Sequence, residues 1–426
     1  MIPIRPDAPC GLWSTSRILL LCAAHCSSAV AAPPRPAWTA AWGVDAERGG
    51  GGEADLKFTH LTTNHGLSQG YVVDILQDRR GFMWFATRDG LNRYDGYTFV
   101  VYKHDPKDPG SLSSNFLQDL MEDDEGYLWV ATSTGVNRFD PRTERCTRYL
   151  HDPDNRDTLG GASVKSVVQD GHGYLWFGTE DSGLDKLDPR RGTFTHYRDD
   201  SDGRFVGRIT QVIEDGHGDI WFTGERGLFH VDQQNGRVTR RPSASNALSA
   251  DSVYEDAAGD LWLLASSPVA GLVRYDRRAE RLTSYPLAQR ASGALASTTS
   301  GGSLNGILAA DGEDGLWVPS SEGLSYFDRR ARRFTHRFRH DEVNPHSLDS
   351  NAIFAVYQDR GGVLWVGTEN AGLNVLDFRQ QRFPHYMHRP SDPDTLSPGR
   401  VKAIHQDPDR VLWVGFFPRA LDRFDR

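Results

Sequence analysis

Cysteine is scarce in this chain: four residues among 426, three of which (Cys10, Cys22 and Cys26) lie near the N-terminus. If that end is removed, Cys146 stands alone and can form neither an intramolecular disulfide nor a multi-cysteine metal site. Runs of Lys and Arg are missing and the formal net charge is -9, which argues against a nucleic-acid surface and gives no attraction to anionic lipid. No apolar run suits a firm transmembrane helix, which needs about 20 residues. His-Glu-x-x-His, Gly-x-Ser-x-Gly, a phosphate-binding glycine loop, a dinucleotide fingerprint and a kinase signature are all absent from the sequence. The run Asp199-Asp200-Ser201-Asp202-Gly203 lacks the spacing and terminal glutamate of a calcium loop. His172 and His217 recur in equivalent Asp-Gly-His-Gly turns, where solvated histidines are the plainer account than a shared metal. The reading therefore assigns no catalytic residue, no metal and no cofactor.

Tryptophan is where the chain is rich. Trp84, Trp129, Trp176, Trp221, Trp262, Trp317, Trp365 and Trp413 each follow an aspartate by six residues (Asp78, Asp123, Asp170, Asp215, Asp256, Asp311, Asp359 and Asp407). Successive tryptophans lie 41 to 55 residues apart, the length of one supersecondary unit in a tandem array. With 43 Gly and 22 Pro marking turns, an all-β fold is indicated, and the repeats favour one large closed domain over several small ones.

Within a repeat the period is that of strands. Residues 71–78 form an apolar, β-branched run; a second strand passes through Trp84 to a turn at Asp89-Gly90; Leu91 to Asp95 supplies a third and Tyr97 to His104 a fourth. Four strands per repeat make a β-propeller blade, with polar connections such as residues 104–115 between blades. The recurrent residues have structural tasks. Gly81, Gly126, Gly173, Gly218, Gly259 and Gly362 allow a turn at positive φ, the aspartate accepts that turn's N–H groups, and the tryptophan fills the wedge between blades.

Ahead of the repeats, Arg5 and Arg17 precede an apolar run ending in Ala29-Val30-Ala31, so residues 1–31 read as a signal peptide cleaved near Ala31. Residues 32–54 read as a flexible linker and 55–426 as the propeller.

The pattern resembles the two-component regulator propeller repeat. The residues carrying it are Phe58, Leu61, Gly66-Leu67-Ser68, Gln77-Asp78, Gly81, Trp84, Thr87, Gly90-Leu91, Arg93-Tyr94-Asp95 and Tyr102, with Trp365-Val366-Gly367-Thr368 and Gly372-Leu373 equally close. Departures occur in the sixth repeat, where Ala309-Ala310-Asp311 and Gly315 break the pattern behind an insertion at residues 290–303, and in the last, where Arg410 and Ala420 replace glycines. The resemblance implies a periplasmic sensor that recognises an extracytoplasmic, carbohydrate-like ligand and signals to a histidine kinase or diguanylate cyclase in a C-terminal part or an inner-membrane partner, with a homodimer of the full-length receptor left open. The rival reading is a propeller enzyme, a polysaccharide lyase or hydrolase, since the fold supports both.

A ligand is expected on the axial face where inner strands begin and second-to-third-strand turns emerge. The candidates are Tyr71, Arg88, Asp89, Asn115, Lys165, Glu180, Arg208, Glu225, Arg226, Asn351, Glu369 and Asn370, a mixed rim suited to polyhydroxylated or anionic groups. Strand counting favours eight blades, with residues 57–61 completing a last blade at residues 421–425. The alternative is seven blades followed by the start of a second propeller.

Overall fold

The computed structural model describes residues 56–242, 248–267, 270–287, 308–312, 314–379, 388, 395–408 and 411–424. The proposed signal peptide and linker, the insertion at residues 290–303 and the run at residues 382–386 lie outside them.

The fold is all-β. Seven sheets have four strands and an eighth has three, and every neighbouring pair is antiparallel where its register is recorded. In the first blade the strands are Val72–Gln77, Met83–Thr87, Gly90–Tyr94 and Phe99–Tyr102, as the alternation predicts. All six turn glycines adopt positive φ, from 80° to 98°. Tryptophans of the ring reach into the next blade. Trp84 lies 5.6 Å from Phe139, Trp129 5.9 Å from Phe177, Trp221 6.2 Å from Tyr275, Trp262 5.4 Å from Phe327 and Trp317 6.3 Å from Phe378. Burying about 200 Å² of such a side chain stabilises by roughly 5 kcal/mol before ordering is charged against it.

The six-residue interval has a cause beyond the turn. Leu76 pairs with Trp84 across the hairpin, which carries the indole back over Asp78. One aspartate oxygen accepts the turn N–H groups of Arg80 and Phe82, while the other accepts the indole N–H at 2.9 Å. The same indole bond recurs at Trp129, Trp176, Trp221, Trp262, Trp365 and Trp413, between 2.7 and 3.0 Å. In the sixth repeat the Tyr326 hydroxyl donates to Asp311 instead. Its inner strand, Ala309–Asp311, is only three residues long, in keeping with the broken pattern there.

The closure expected between the N-terminal strand and residues 421–425 does not occur. Thr59–Leu61 pairs instead with Leu373–Asp377, matching His60 to Asn374, and so supplies the fourth strand of the seventh blade. Leu56 and Phe58 are buried there with Trp317, Leu364 and Leu376. The seventh blade packs on the first, with Trp365 5.5 Å from Phe85 and 6.1 Å from Tyr94. Arg360 N–H donates to Gln77 Oε1 across the same seam. Among the described residues the ring is thus made by seven four-stranded sheets. The sheet Arg400–Gln406, Leu412–Phe417, Ala420–Phe424 stands apart, its inner strand exposed throughout. Local complementarity made either edge eligible for residues 57–61; burial of two large apolar side chains decided between them.

Candidate functional site

Six of the ring's seven inner strands carry one residue too many; the short strand Ala309–Asp311 does not. Pairing slips between Val72 and Asp74, Leu117 and Asp119, Val164 and Ser166, Ile209 and Gln211, Ala250 and Ser252, and Ile353 and Ala355. Such a bulge re-aims the side chains around it. The skipped residues are Val73, Gln118, Lys165, Thr210, Asp251 and Phe354. The residues after them reach the next blade. Asp74 accepts from Leu120 N–H (2.9 Å), Asp119 from Val167 (2.7 Å), Ser166 from Val212 (3.1 Å), Gln211 from Val253 (2.7 Å) and Ser252 from Leu308 (3.3 Å). Side chains thereby staple successive inner strands around the axis.

These bulges line a small cleft formed by Val73, Gln118, Asp119, Lys165, Ser166, Thr210, Gln211 and Asp251. Its carboxyls are unusually basic. Burial pushes Asp251 up to about 6. Burial likewise pushes Asp119 up to about 6, against hydrogen bonds that favour the anion; a part of its surface borders the cleft while the carboxyl itself is enclosed. Asp74 is raised well above the carboxylate range by burial and by the charge of Asp119. Burial lowers Lys165, opposed by the charge of Glu180 at 3.3 Å.

Above the cleft lies the rim. Tyr71, Phe116, Ser163 and Ala352 are equivalent, since their carbonyls accept from Arg88, Ser133, Glu180 and Glu369 N–H respectively. Asn115 and Asn351 fall one residue earlier, and Lys165 two residues later, on the bulge. At the first blade the Arg88 guanidinium lies 3.7 Å from the Tyr71 ring centroid and 5.2 Å from that of Phe116, while donating to the Tyr71 hydroxyl at 2.9 Å. The Tyr71 ring also lies 4.8 Å from that of Phe354. Burial pushes the Tyr71 hydroxyl up to about 12, with the charge of Glu369 adding to the rise and Arg88 opposing it. Phe116 is 43% exposed, so this stack is open on one side.

Further round, Glu180 accepts from Ser163 Oγ at 2.8 Å and pairs with Lys165, while Arg208 pairs with Glu225 at 3.8 Å. Other candidates serve the framework. Asp89 accepts from Lys103 at 2.6 Å; Asn115 and Asn351 accept from His104 and His340 N–H at 2.7 and 2.8 Å. Arg226 covers Gly207, where an added Cβ would meet its side chain at 3.5 Å; the Asn370 carbonyl would meet one at Gly70 at 2.5 Å. The structure therefore brings Tyr71, Arg88 and Glu369 together and keeps Lys165 with Glu180 and Arg208 with Glu225 as separate pairs. Sequence reasoning missed Phe116, Asp119 and Asp251; the bulge that turns the latter two to the axis leaves no signature in a run of alternating residues. His172 and His217 occupy turns, their N–H groups donating to Asp170 and Asp215. Among the described residues no group of three or more His, Cys, Asp or Glu is arranged to hold a metal ion.

Residues 66–89, 111–134, 158–181 and 347–370 match the two component regulator propeller model. A 60-residue stretch, 14% of this chain, is 47% identical to histidine kinase P4 of Formosa agariphila, of which it covers 4%. The extracellular domain named for the hybrid two component system BT3049 of B. thetaiotaomicron superposes with a TM-score of 0.71 at 23% identity, over 87% of this chain and 48% of that one. Virginiamycin B lyase from Staphylococcus aureus superposes with a TM-score of 0.52 at 12% identity, over 76% of this chain and 99% of the lyase. At these identities both structures speak to the fold alone. The chain spans about half the length of the first and a small fraction of the kinase. Four of the repeats match the two component regulator propeller model, and they lie in a propeller made of four-stranded sheets.

Proposed function

We propose that this propeller is the extracytoplasmic ligand-sensing part of a signalling receptor, exported to the periplasm, whose output is given by a kinase or diguanylate cyclase domain or partner. The repeats and the extracellular provenance of the BT3049 domain support the class of function. The observation that carries the site is the open stack of Phe116, Arg88 and Tyr71 beside Glu369. An exposed aromatic face stacks on the apolar side of a sugar ring, while a guanidinium and a carboxylate a few ångströms away pair with its hydroxyls or with an acidic substituent. A carbohydrate-like ligand is the chemistry such a rim suits.

Titration calorimetry against a panel of plant- and host-derived oligosaccharides, with product analysis on the same samples, tests this reading. Binding without turnover supports it; turnover replaces it with an enzyme. The double substitution Arg88→Ala and Glu369→Ala is expected to abolish binding with no fall in melting temperature, and unchanged affinity moves the site elsewhere.

A further inference from the structure

The axis holds a group that ligand recognition at the rim does not use. Asp74 and Asp119 sit on neighbouring inner strands, Val72–Gln77 and Leu117–Glu122, and hydrogen-bond one another. Each also accepts a backbone N–H from the blade beyond its own, Leu120 for Asp74 and Val167 for Asp119. Asp74 additionally accepts from Ile75 N–H at 2.8 Å. A carboxylate pair can hydrogen-bond only if one member keeps a proton, because two ionised groups have no donor between them and repel. Here the pair is enclosed, and its remaining lone pairs are committed to amides of three blades.

We propose that Asp74 and Asp119 form a proton-binding site that joins the inner strands of the first three blades, the shared proton acting as the bonded link between them.

The groups facing the pair are few. The cleft contributes Lys165 from the third blade and Asp251 from the fifth; the seventh contributes Tyr357, which senses the charge of Asp74. The second strands beside the pair, Met83–Thr87 and Leu128–Thr132, carry no ionisable side chain, and the fourth blade presents Thr210 and Gln211. Lys165 is engaged with Glu180, so no unshared cation offsets a second negative charge in the pair. Asp251 adds a further carboxyl that resists ionisation in the same cleft.

The sign follows from the direction of the shifts. Both carboxyls are raised above their ordinary value of 3.8 by burial, Asp119 to about 6. The folded chain therefore holds protons that the unfolded chain has released, and stability declines as pH rises from 3.8 through about 6, the loss being complete for Asp119 above that value. The shared proton is assigned to Asp74, whose carboxyl is raised by burial and by the charge of Asp119, and is donated to the Asp119 carboxylate.

The experiment uses the intact chain, with Asp74→Asn, Asp119→Asn and the double variant; an amide keeps the shape and supplies a permanent donor. The infrared band of a protonated carboxyl should persist in the wild type at about pH 7 and be lost in Asp74→Asn. The wild-type melting temperature should fall by a few degrees between about pH 5 and about pH 7.5, and the double variant should lose most of that slope. A wild type without the band at neutral pH overturns the proposal, as does a double variant whose slope equals that of the wild type. If the variants do not fold, the wild-type band decides alone.

Discussion

The ring has two unlike arcs. In the seventh, first, second and third blades the third strand opens with Gly-Leu or Gly-Val followed by Asn374, Asn92, Asn137 and Asp185, all fully buried. Each accepts a backbone N–H from the connection entering its own blade: Asp349, Ser68 and Ser113 at 2.8 Å, and Gly160 at 2.7 Å. The fourth, fifth and sixth blades carry Phe229, Val273 and Ser325 there. Within the first arc, connections between blades are further pinned by a histidine whose Nδ1 meets a leucine carbonyl eight residues on, at 2.6 Å for His104 and His151 and 2.7 Å for His340. The four stretches matching the family model all fall in this arc. A buried amide costs stability unless something bonds it. The comparison teaches that in the second, third and seventh blades a histidine-pinned connection goes with a buried Asn or Asp, and that this buried acceptor marks all four blades that match the family model.

The comparison can be broken most forcibly at the seam. Deleting residues 56–62 uncovers the edge of Leu373–Asp377 and removes buried Leu56 and Phe58, each worth about 2 kcal/mol. Loss of a cooperative melt and rapid proteolysis are expected, whereas truncation after residue 379 should leave the ring's melting temperature within roughly 2 °C of the full chain's. Next in size is the aspartate of the turn. Asp170→Ala strands the Trp176 indole and two turn amides and should cost about 3 kcal/mol in denaturant unfolding, against about 1 kcal/mol for Asp311→Ala, whose carboxylate accepts from the Tyr326 hydroxyl in place of an indole. The buried amide itself comes third. Asn137→Leu should cost about 2 kcal/mol and open residues 104–115 to protease, and Phe229→Asn should cost as much by burying an amide where the opposite arc's bonding is missing. The smallest effect is electrostatic. Donation from the His196 ring to the Asp185 carboxylate raises His196 above its ordinary 6.5, so the pair's contribution is present below that pH and lost as pH rises through the raised value. Because His196 is partly solvated, a pH series should find only a few tenths of a kcal/mol, and Asp185→Asn should flatten it.

Much of this architecture was legible in the chain. The strand-like hydrophobic pattern located the four strands of the first blade, and the glycine three residues after six of the aspartates foretold its positive φ because only that residue tolerates the turn without strain. The indole bond was not foreseen, although six-residue constancy was its visible trace: a turn alone fixes the glycine, while only a side-chain partner fixes the tryptophan as well. The glutamine or glutamate before the aspartate had a similar hidden purpose, as Glu122, Gln169, Glu214 and Glu255 accept from the preceding blade's turn. At the candidate rim, Arg88 and Glu369 were selected because turn positions vary against a fixed frame and Tyr71 because it opens an inner strand, and the fold sets Tyr71 and Arg88 in contact. Phe116 was missed by one residue and Asp119 by the bulge, since a register slip is decided by pairing in three dimensions and leaves composition unchanged.

The strand at residues 59–61 also sets an order of events. His60 meets Asn374 at a separation of 314 residues, whereas nearly every other strand pairs with its neighbour in sequence. Ribosomes add about 5–20 residues per second, so Leu56 and Phe58 wait on the order of tens of seconds for their partner strand to be made. Each blade can nucleate from local hairpins in that interval, but joining the first to the last is a long-range step that bears the largest chain-closure entropy in the molecule. Ring closure therefore comes late in folding.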